Sequence, residues 1–223
     1  MASLSVDNAG RTLSGDLVLA CVAAHGTASH IYFGADALQR GPEATRNLAD
    51  AIHFLCALHG RHPGIVDHAA ARTVEPDARA WLAAAAGAMV VERAYLTRLS
   101  VAVGAIPSTP GGANSETAIL AQRAALATLA QSDRRGCALG AALAFAADWA
   151  SIRIILDAAA KRLGIDAPGL ALSDRETLQA VADEAGRAPA TQRALLFGAE
   201  QLALQHRGLW DLLEARQQAR REY

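Results

Sequence analysis

Apolar residues recur at intervals of three and four along most of this chain, which is the period of an amphipathic α-helix. The longest such stretch, 115–163, contains no proline and follows a segment rich in glycine and proline. The pattern is interrupted at 131–136, where Ser132 or Asp133 is suited to cap a second helix. We predict two helices that meet near Ser132, and one long helix kinked at that point is the alternative.

Glycine, proline and capping residues divide the rest of the chain into further helices. Ser173 and Glu176 have the spacing of a capping box, which predicts a helix that ends at Gly186. The segments 17–22 and 30–33 also fit strands, but isolated strands need partners, and we favour a helix for the first. The predicted helices are 14–24, 43–58, 63–71, 76–103, 173–186 and a last one from Pro189, with long loops at 104–114 and 164–172.

The composition favours helices that pack closely on one another. Hydrophobic residues make up 52% of the 223 residues but aromatic residues only 4%, whereas sheets favour β-branched and aromatic residues. Gly136 and Gly140 are spaced so that their backbone could approach a partner helix closely. We predict an all-α fold, namely an antiparallel helical bundle, 14–223, with a long crossover loop and a flexible N-terminal arm, 1–13.

Charge and cysteine content limit the partners and the compartment. The formal net charge of −1 gives no general attraction to nucleic acid, and no segment offers the roughly 20 unbroken apolar residues of a membrane span. Cys21, Cys56 and Cys137 are an odd number in apolar helical contexts, which predicts free, buried thiols in a reducing cytosol. We therefore expect a soluble cytoplasmic protein that binds neither nucleic acid nor membrane.

The last predicted helix is apolar on more than one face, because it carries Leu204, Leu209, Trp210, Leu212 and Leu213. A monomer would leave part of that surface in water. Since a closed two-fold pair is the commonest oligomer, the sequence predicts a homodimer.

The first candidate metal ligands lie on the helix predicted at 43–58. Asp50, His53, Cys56 and His59 follow one another at intervals of three, so neighbouring members share a face but all four cannot. Either Asp50 with His53 or Cys56 with His59 could supply two ligands. The alternative is a partly buried helix whose histidines bond to the backbone or to neighbouring side chains.

Acids on apolar helix faces form a second candidate group, made of Glu92, Asp148 and Glu200. An acid in such a place must find a partner or shift its pKa. These carboxylates could converge on a metal ion inside the bundle. The alternative is that they pair with arginines such as Arg153, or that they point outwards.

The chain resembles the ferritin-like superfamily in its long helices, its long loop and its acids on apolar faces. That superfamily uses two Glu-x-x-His motifs, whereas only Asp50-x-x-His53 approximates one here, and Ala203 stands where Glu200 would need a histidine. The resemblance implies a di-iron or manganese oxidoreductase whose metal ligands are Asp50, His53, Glu92, Asp148 and Glu200.

No motif in the sequence defines an activity. We favour a non-catalytic, self-associating helical-bundle protein without a cofactor. The alternatives are a metal-dependent oxidoreductase that uses iron or manganese, and a module that binds a small molecule in an apolar pocket between helices.

Overall fold

The chain is all-α, as predicted, and the computed structural model, which describes residues 13–222, contains no strand within that range. A 3₁₀ turn, Ile31–Gly34, occupies the possible strand at 30–33. The predicted N-terminal arm, 1–13, lies outside the described residues except for Leu13. The helices are α1 (Ser14–His25), α2 (Asp36–Gln39), α3 (Ala44–His59), α4 (Ile65–Arg72), α5 (Pro76–Ala102), α6 (Gly112–Ala130), α7 (Cys137–Leu163), α8 (Arg175–Ala185) and α9 (Pro189–Arg221).

Helix α7 lies at the centre of the bundle. It packs against α1, α3, α4, α5, α6, α8 and α9, and every residue of the segment 137–146 is buried. A helix that is buried on all sides carries apolar residues all round. By length and composition α7 could cross a membrane, but 78% of its most apolar window is buried inside the bundle. Its place in the core accounts for its apolar character.

Helices α7 and α9 touch through their backbones. A Cβ atom added to Gly140 would lie 1.9 Å from the carbonyl oxygen of Leu195, and one added to Gly198 would lie 2.0 Å from that of Cys137. No residue larger than glycine fits at either position without moving a helix. The close approach that the spacing of Gly136 and Gly140 indicates is therefore present, with Gly140 at the contact.

The stretch 115–163 forms two helices, as predicted, because α6 ends at Ala130 and α7 begins at Cys137. Helix α6 begins earlier than predicted, at Gly112, since Gly111 takes a left-handed conformation with φ 73° and forms the N-cap. The loop before it joins α5 and α6, which are not one of the packed helix pairs. The connection is therefore a crossover rather than a hairpin.

Two further local predictions have different outcomes. The segment 17–22 lies within α1, so the helix was the right choice there. At α8 the predicted cap was wrong: Asp174 is the N-cap and accepts a hydrogen bond from the N–H of Thr177 at 2.9 Å. Ser173 instead accepts one from the indole N–H of Trp81 at 3.0 Å. The side chain that could cap the helix is used to join α8 to α5.

The apolar residues of α9 point mostly into the bundle. Leu209, Trp210 and Leu213 are buried, whereas Leu204 is 41% exposed and Leu212 is half-buried. The apolar surface that motivated the homodimer is therefore largely covered within one chain, and the homodimer stays a prediction.

All three cysteines are free thiols, as predicted. Only Cys137 is buried, and Cys21 and Cys56 are half-buried, so the expectation of burial was wrong for these two. Partial burial, followed by the nearby Glu200 carboxylate, raises the pKa of the Cys21 thiol. That thiol is therefore less readily ionised than an ordinary cysteine.

Candidate functional site

A series of hydrogen-bonded side chains runs through the core, with Asp148 of α7 at its centre. Asp148 is 1% exposed. Its carboxylate accepts hydrogen bonds from the backbone N–H of Thr27 at 2.9 Å and from the hydroxyl of the same residue at 2.6 Å. His206 of α9 donates a third from Nδ1 at 2.6 Å, and the indole N–H of Trp210 donates to the Thr27 hydroxyl at 2.9 Å. The buried carboxylate thus joins α7 to α9 and to the segment after α1.

The two ring nitrogens of His206 have different roles. Nδ1 faces the Asp148 carboxylate and carries a proton, because a carboxylate only accepts. Nε2 lies 3.1 Å from Nε2 of His59 on α3, so one of these two nitrogens donates and the other accepts. Burial, and then the adjacent His206, lowers the pKa of His59 well below its ordinary value. His59 is therefore neutral, and the histidines share one N–H···N hydrogen bond.

Aromatic rings enclose the histidine pair. The ring centroid of His59 lies 5.1 Å from that of Phe145 and 5.8 Å from that of Trp149. His206 is 0% exposed and His59 is 6% exposed. In such an apolar, closed place hydrogen bonds are electrostatically strong. The arrangement can hold a proton and fix three helices relative to one another, but it is closed to a substrate.

A second buried carboxylate, Glu92 of α5, is joined to this cluster through Trp149. Glu92 accepts hydrogen bonds from the indole N–H of Trp149 at 2.8 Å and from a guanidinium N–H of Arg153 at 2.6 Å. Arg153 also donates to the carbonyl oxygen of Pro168 at 2.7 Å and to Asp157 at 3.1 Å. Pairing with Arg153 is the alternative that the sequence left open for Glu92.

A third buried carboxylate, Asp50 of α3, lies between two arginines of α9. It accepts hydrogen bonds from Arg216 at 2.9 Å and from Arg220 at 2.5 Å. Arg220 also donates to the side-chain oxygen of Asn47, and both arginines donate to the hydroxyl of Thr109. The crossover loop is tied in this way to α3 and to the end of α9.

The five predicted metal ligands do not lie together. Asp50, Glu92 and Asp148 belong to the three clusters described above. His53 is half-buried and bonds through Nε2 to a backbone carbonyl at 3.0 Å, and Glu200 is exposed. Among the residues that the structure describes, no group of three or more His, Cys, Asp or Glu side chains could hold a metal ion. In this arrangement the five residues do not fit one shared metal centre, and metal binding stays an untested prediction.

Several residues of these clusters were not singled out from the sequence. They include Thr27, Arg216 and His206, the histidine furthest from the others in the chain. A signal for His206 was present, because Leu202 and Leu209 lie on the same face of α9, one turn before and one turn after it. A histidine between two buried leucines needs a polar partner.

The fold and these clusters define a class of protein: an all-α bundle whose apolar central helix carries buried charges, each with partners. The chain matches, over residues 22–221, the model of a family described as a family of unknown function, DUF6975, and it belongs to that family. No match to the chain was found among curated proteins or among solved structures.

Proposed function

We propose that this protein is a self-associating helical-bundle protein whose functional unit is a homodimer paired through the outer face of α5. The supporting observation is a row of exposed residues whose spacing alternates between three and four, as in a coiled coil. We name this row the α5 seam. Its members are Asp77, Ala80, Ala84, Gly87, Val91, Ala94, Arg98 and Val101, and all of them are exposed.

The α5 seam has no cover within the part of the chain that the structure describes. The other face of α5 packs against α3, α4, α7 and α8. On the seam, Val91 is 46% exposed and Val101 is 76% exposed, and the neighbouring Val90 is 61% exposed. Removing apolar surface from water stabilises by about 25 cal/mol per Å². A second helix laid along the seam would therefore be stabilising.

An antiparallel pair of α5 helices would match every seam position with another seam position. With the two-fold axis near the middle of the seam, Gly87 faces Val91 of the second copy, and Ala84 faces Ala94. A Cβ atom added to Gly87 would meet nothing within 4 Å, so the valine has room there. The small residues at the centre allow the two helices to approach closely.

The charges at the two ends favour the antiparallel arrangement over the parallel one. Asp77 lies near the start of the seam and Arg98 near its end, and neither has an ion pair within the described residues. In the antiparallel dimer each Asp77 lies one helical turn from Arg98 of the second copy, whereas a parallel dimer places like charges together. The seam is thus complementary to itself, which is the property that a two-fold interface requires.

A charge exchange tests the proposal. One helix pair buries less than the about 1,200–2,000 Å² of a standard interface, so we expect a dissociation constant on the order of micromolar. Asp77→Arg or Arg98→Asp alone should weaken the dimer about tenfold, because each creates like-charge pairs at both ends. The double variant restores opposite charges and should recover the wild-type constant, measured by sedimentation equilibrium.

The matched controls are Asp166→Arg and Arg193→Asp, since both residues are exposed and lie off the seam. These should leave the dissociation constant unchanged, and circular dichroism checks that every variant keeps its helix content. A wild-type protein that is monomeric up to about 100 μM, which is well above the expected constant, would contradict the proposal. A double variant whose dimer is no tighter than the dimers of the single variants would contradict it as well.

A further inference from the structure

A groove of about 340 Å³ lies between α4 and α6. Its apolar lining includes Leu58, Ile65 and Leu120, and Leu120 is 50% exposed although its side chain is a large aliphatic one. Ligand pockets in proteins have volumes of about 300–1,000 Å³. The groove is therefore of a size for a small molecule.

Basic side chains line the same groove. They are Arg61, His68 and Arg123, and none of the described residues that line the groove is an acid. Within the described part of the chain, none of these three side chains has a hydrogen bond or an ion pair. Their donor groups are therefore free to bind an anion.

The nearest acid in sequence, Asp67, does not neutralise these groups, because it already has its own partners. Its carboxylate accepts hydrogen bonds from the backbone N–H of Gly64 at 2.8 Å and from Arg93 at 3.0 Å. The imidazole of His62 lies 3.3 Å from the same oxygen. Among the residues that the structure describes, no acid pairs with Arg61 or Arg123, so their positive charge is available to a ligand.

A second groove, of about 290 Å³ beside the loop between α6 and α7, gives a useful contrast. Two of its three arginines are paired with acids, since Arg72 lies 2.6 Å from Asp133 and Arg135 lies 2.7 Å from Glu75, and the third, Arg134, lies over the ring of Phe197. Arginines that line a groove on this protein can therefore be balanced locally. Those of the α4–α6 groove are not.

We infer that the α4–α6 groove binds a small amphipathic anion. The apolar chain of such a ligand would lie against Leu58 and Leu120, and its single anionic head group would meet Arg61 and Arg123. Guanidinium groups bind carboxylate and phosphate oxygens through charge-assisted hydrogen bonds, and either head group supplies them. The inference does not rest on the homodimer, because no residue of the α5 seam lines the groove.

Isothermal titration calorimetry of the full chain with decanoate, decyl phosphate, decanol and inorganic phosphate tests this inference, with each amphiphile kept below its micellar concentration. We expect decanoate, decyl phosphate or both to bind one site per chain, and decanol and inorganic phosphate to bind at least about tenfold more weakly. The variant Arg61→Gln/Arg123→Gln should lose at least about tenfold in affinity for the anion that binds.

Two further variants separate the contributions. Leu120→Gln should weaken the anionic amphiphile while leaving the arginines in place, and Arg193→Gln, an exposed arginine far from the groove in sequence, should change nothing. Binding by the dimer variant Asp77→Arg should equal that of the wild type, which separates this result from the outcome of the dimer test. The inference would be overturned by equal binding of decanol or of inorganic phosphate, by full affinity in the double variant, or by no binding of either anionic amphiphile.

Discussion

Asp148 and Asp50 are buried to the same degree, since each is 1% exposed, but they are stabilised by different groups. Asp148 accepts hydrogen bonds from the backbone N–H and the hydroxyl of Thr27 and from the imidazole of His206. Asp50 accepts them from the guanidinium groups of Arg216 and Arg220. A buried carboxylate requires hydrogen-bond donors. Among the described residues, no arginine donates to Asp148, whereas two arginines donate to Asp50.

The difference determines which cluster responds to pH. Arginine stays protonated throughout the range in which proteins fold, so the charges around Asp50 do not change. Histidine is the side-chain type that normally titrates near neutrality, and burial, followed by the adjacent His206, lowers the pKa of His59 well below its ordinary value. One pH-dependent part of the stability therefore lies at the Asp148 cluster through His59, whereas the partners of Asp50 keep their charge.

Removing the charge of Asp50 should have the largest effect. Asp50→Asn leaves two guanidinium groups, which are 3% and 6% exposed, without their counter-ion. We expect the free energy of unfolding to fall by about 3–5 kcal/mol, measured by urea denaturation. Asp36→Asn is the control, because its pair with Arg40 is exposed on both sides and should contribute less than about 1 kcal/mol. Equal losses in the two variants would contradict the prediction.

Asp148→Asn should cost less, about 2–3 kcal/mol in the free energy of unfolding. The amide keeps one acceptor oxygen, but its NH₂ group faces a donor of Thr27 or His206, and no arginine is left unpaired. The same urea titration measures it. A loss larger than that of Asp50→Asn would reverse the comparison between the two clusters.

Acid should destabilise the fold through His59. Its pKa in the folded chain lies well below the ordinary value of 6.5, so below pH 6.5 the unfolded chain binds a proton that the folded chain does not. Stability is complete above pH 6.5 and is lost as the pH falls below it, by at most about 1.4 kcal/mol per pH unit.

The variant His59→Phe keeps an aromatic ring beside Phe145 and Trp149 and should remove this part of the pH dependence. His53→Gln, which changes a half-buried histidine of the same helix, should retain it. Unfolding curves at pH 7.5, 6.5 and 5.5, which bracket the ordinary histidine pKa, compare the three proteins. A slope unchanged in His59→Phe would show that another group is responsible.

The smallest effect on stability is expected from the two threonine hydroxyls that support these carboxylates, Thr27 at the Asp148 cluster and Thr109 at the Asp50 cluster. Thr27→Val removes a donor to Asp148 and leaves the indole N–H of Trp210 without its acceptor in the core. We expect the free energy of unfolding to fall by about 1–1.5 kcal/mol. Thr109→Val removes an acceptor of Arg216 and Arg220, but Thr109 is only half-buried, so water replaces it and we expect less than about 0.5 kcal/mol. Thermal unfolding of both variants measures the difference.

Sequence periodicity was sufficient for the fold class and for the break between α6 and α7, because long apolar segments without proline have few alternatives to helix. It failed at α8, where Ser173 and Asp174 are both good caps and the choice depends on Trp81, a residue of another helix. Local pattern does not contain that information.

The same limit explains the outcome for the candidate site. The sequence identified Glu92, Asp148 and Glu200 as acids that must find partners or point outwards. Glu92 and Asp148 have partners, and Glu200 is exposed. Asp50, which the sequence named as a metal ligand, also has partners. The sequence named Arg153, which pairs with Glu92, as a possible partner of these acids. It did not identify the partners of Asp50 and Asp148, since Arg216 lies 166 residues from Asp50 and His206 lies 58 residues from Asp148. Partner choice follows from which helices are neighbours, and periodicity does not fix the order of helices in a bundle.

The glycine contacts between α7 and α9 have a consequence for engineering this chain. Elsewhere in the core, a designed library can exchange large and small side chains between facing positions and keep the total volume constant. At Gly140 and Gly198 main chain meets main chain, so no exchange of side chains compensates for an added methyl group. Sequence diversity is therefore better placed where α7 faces α3 and α5. Both glycines should be kept, because they set the distance between α7 and α9.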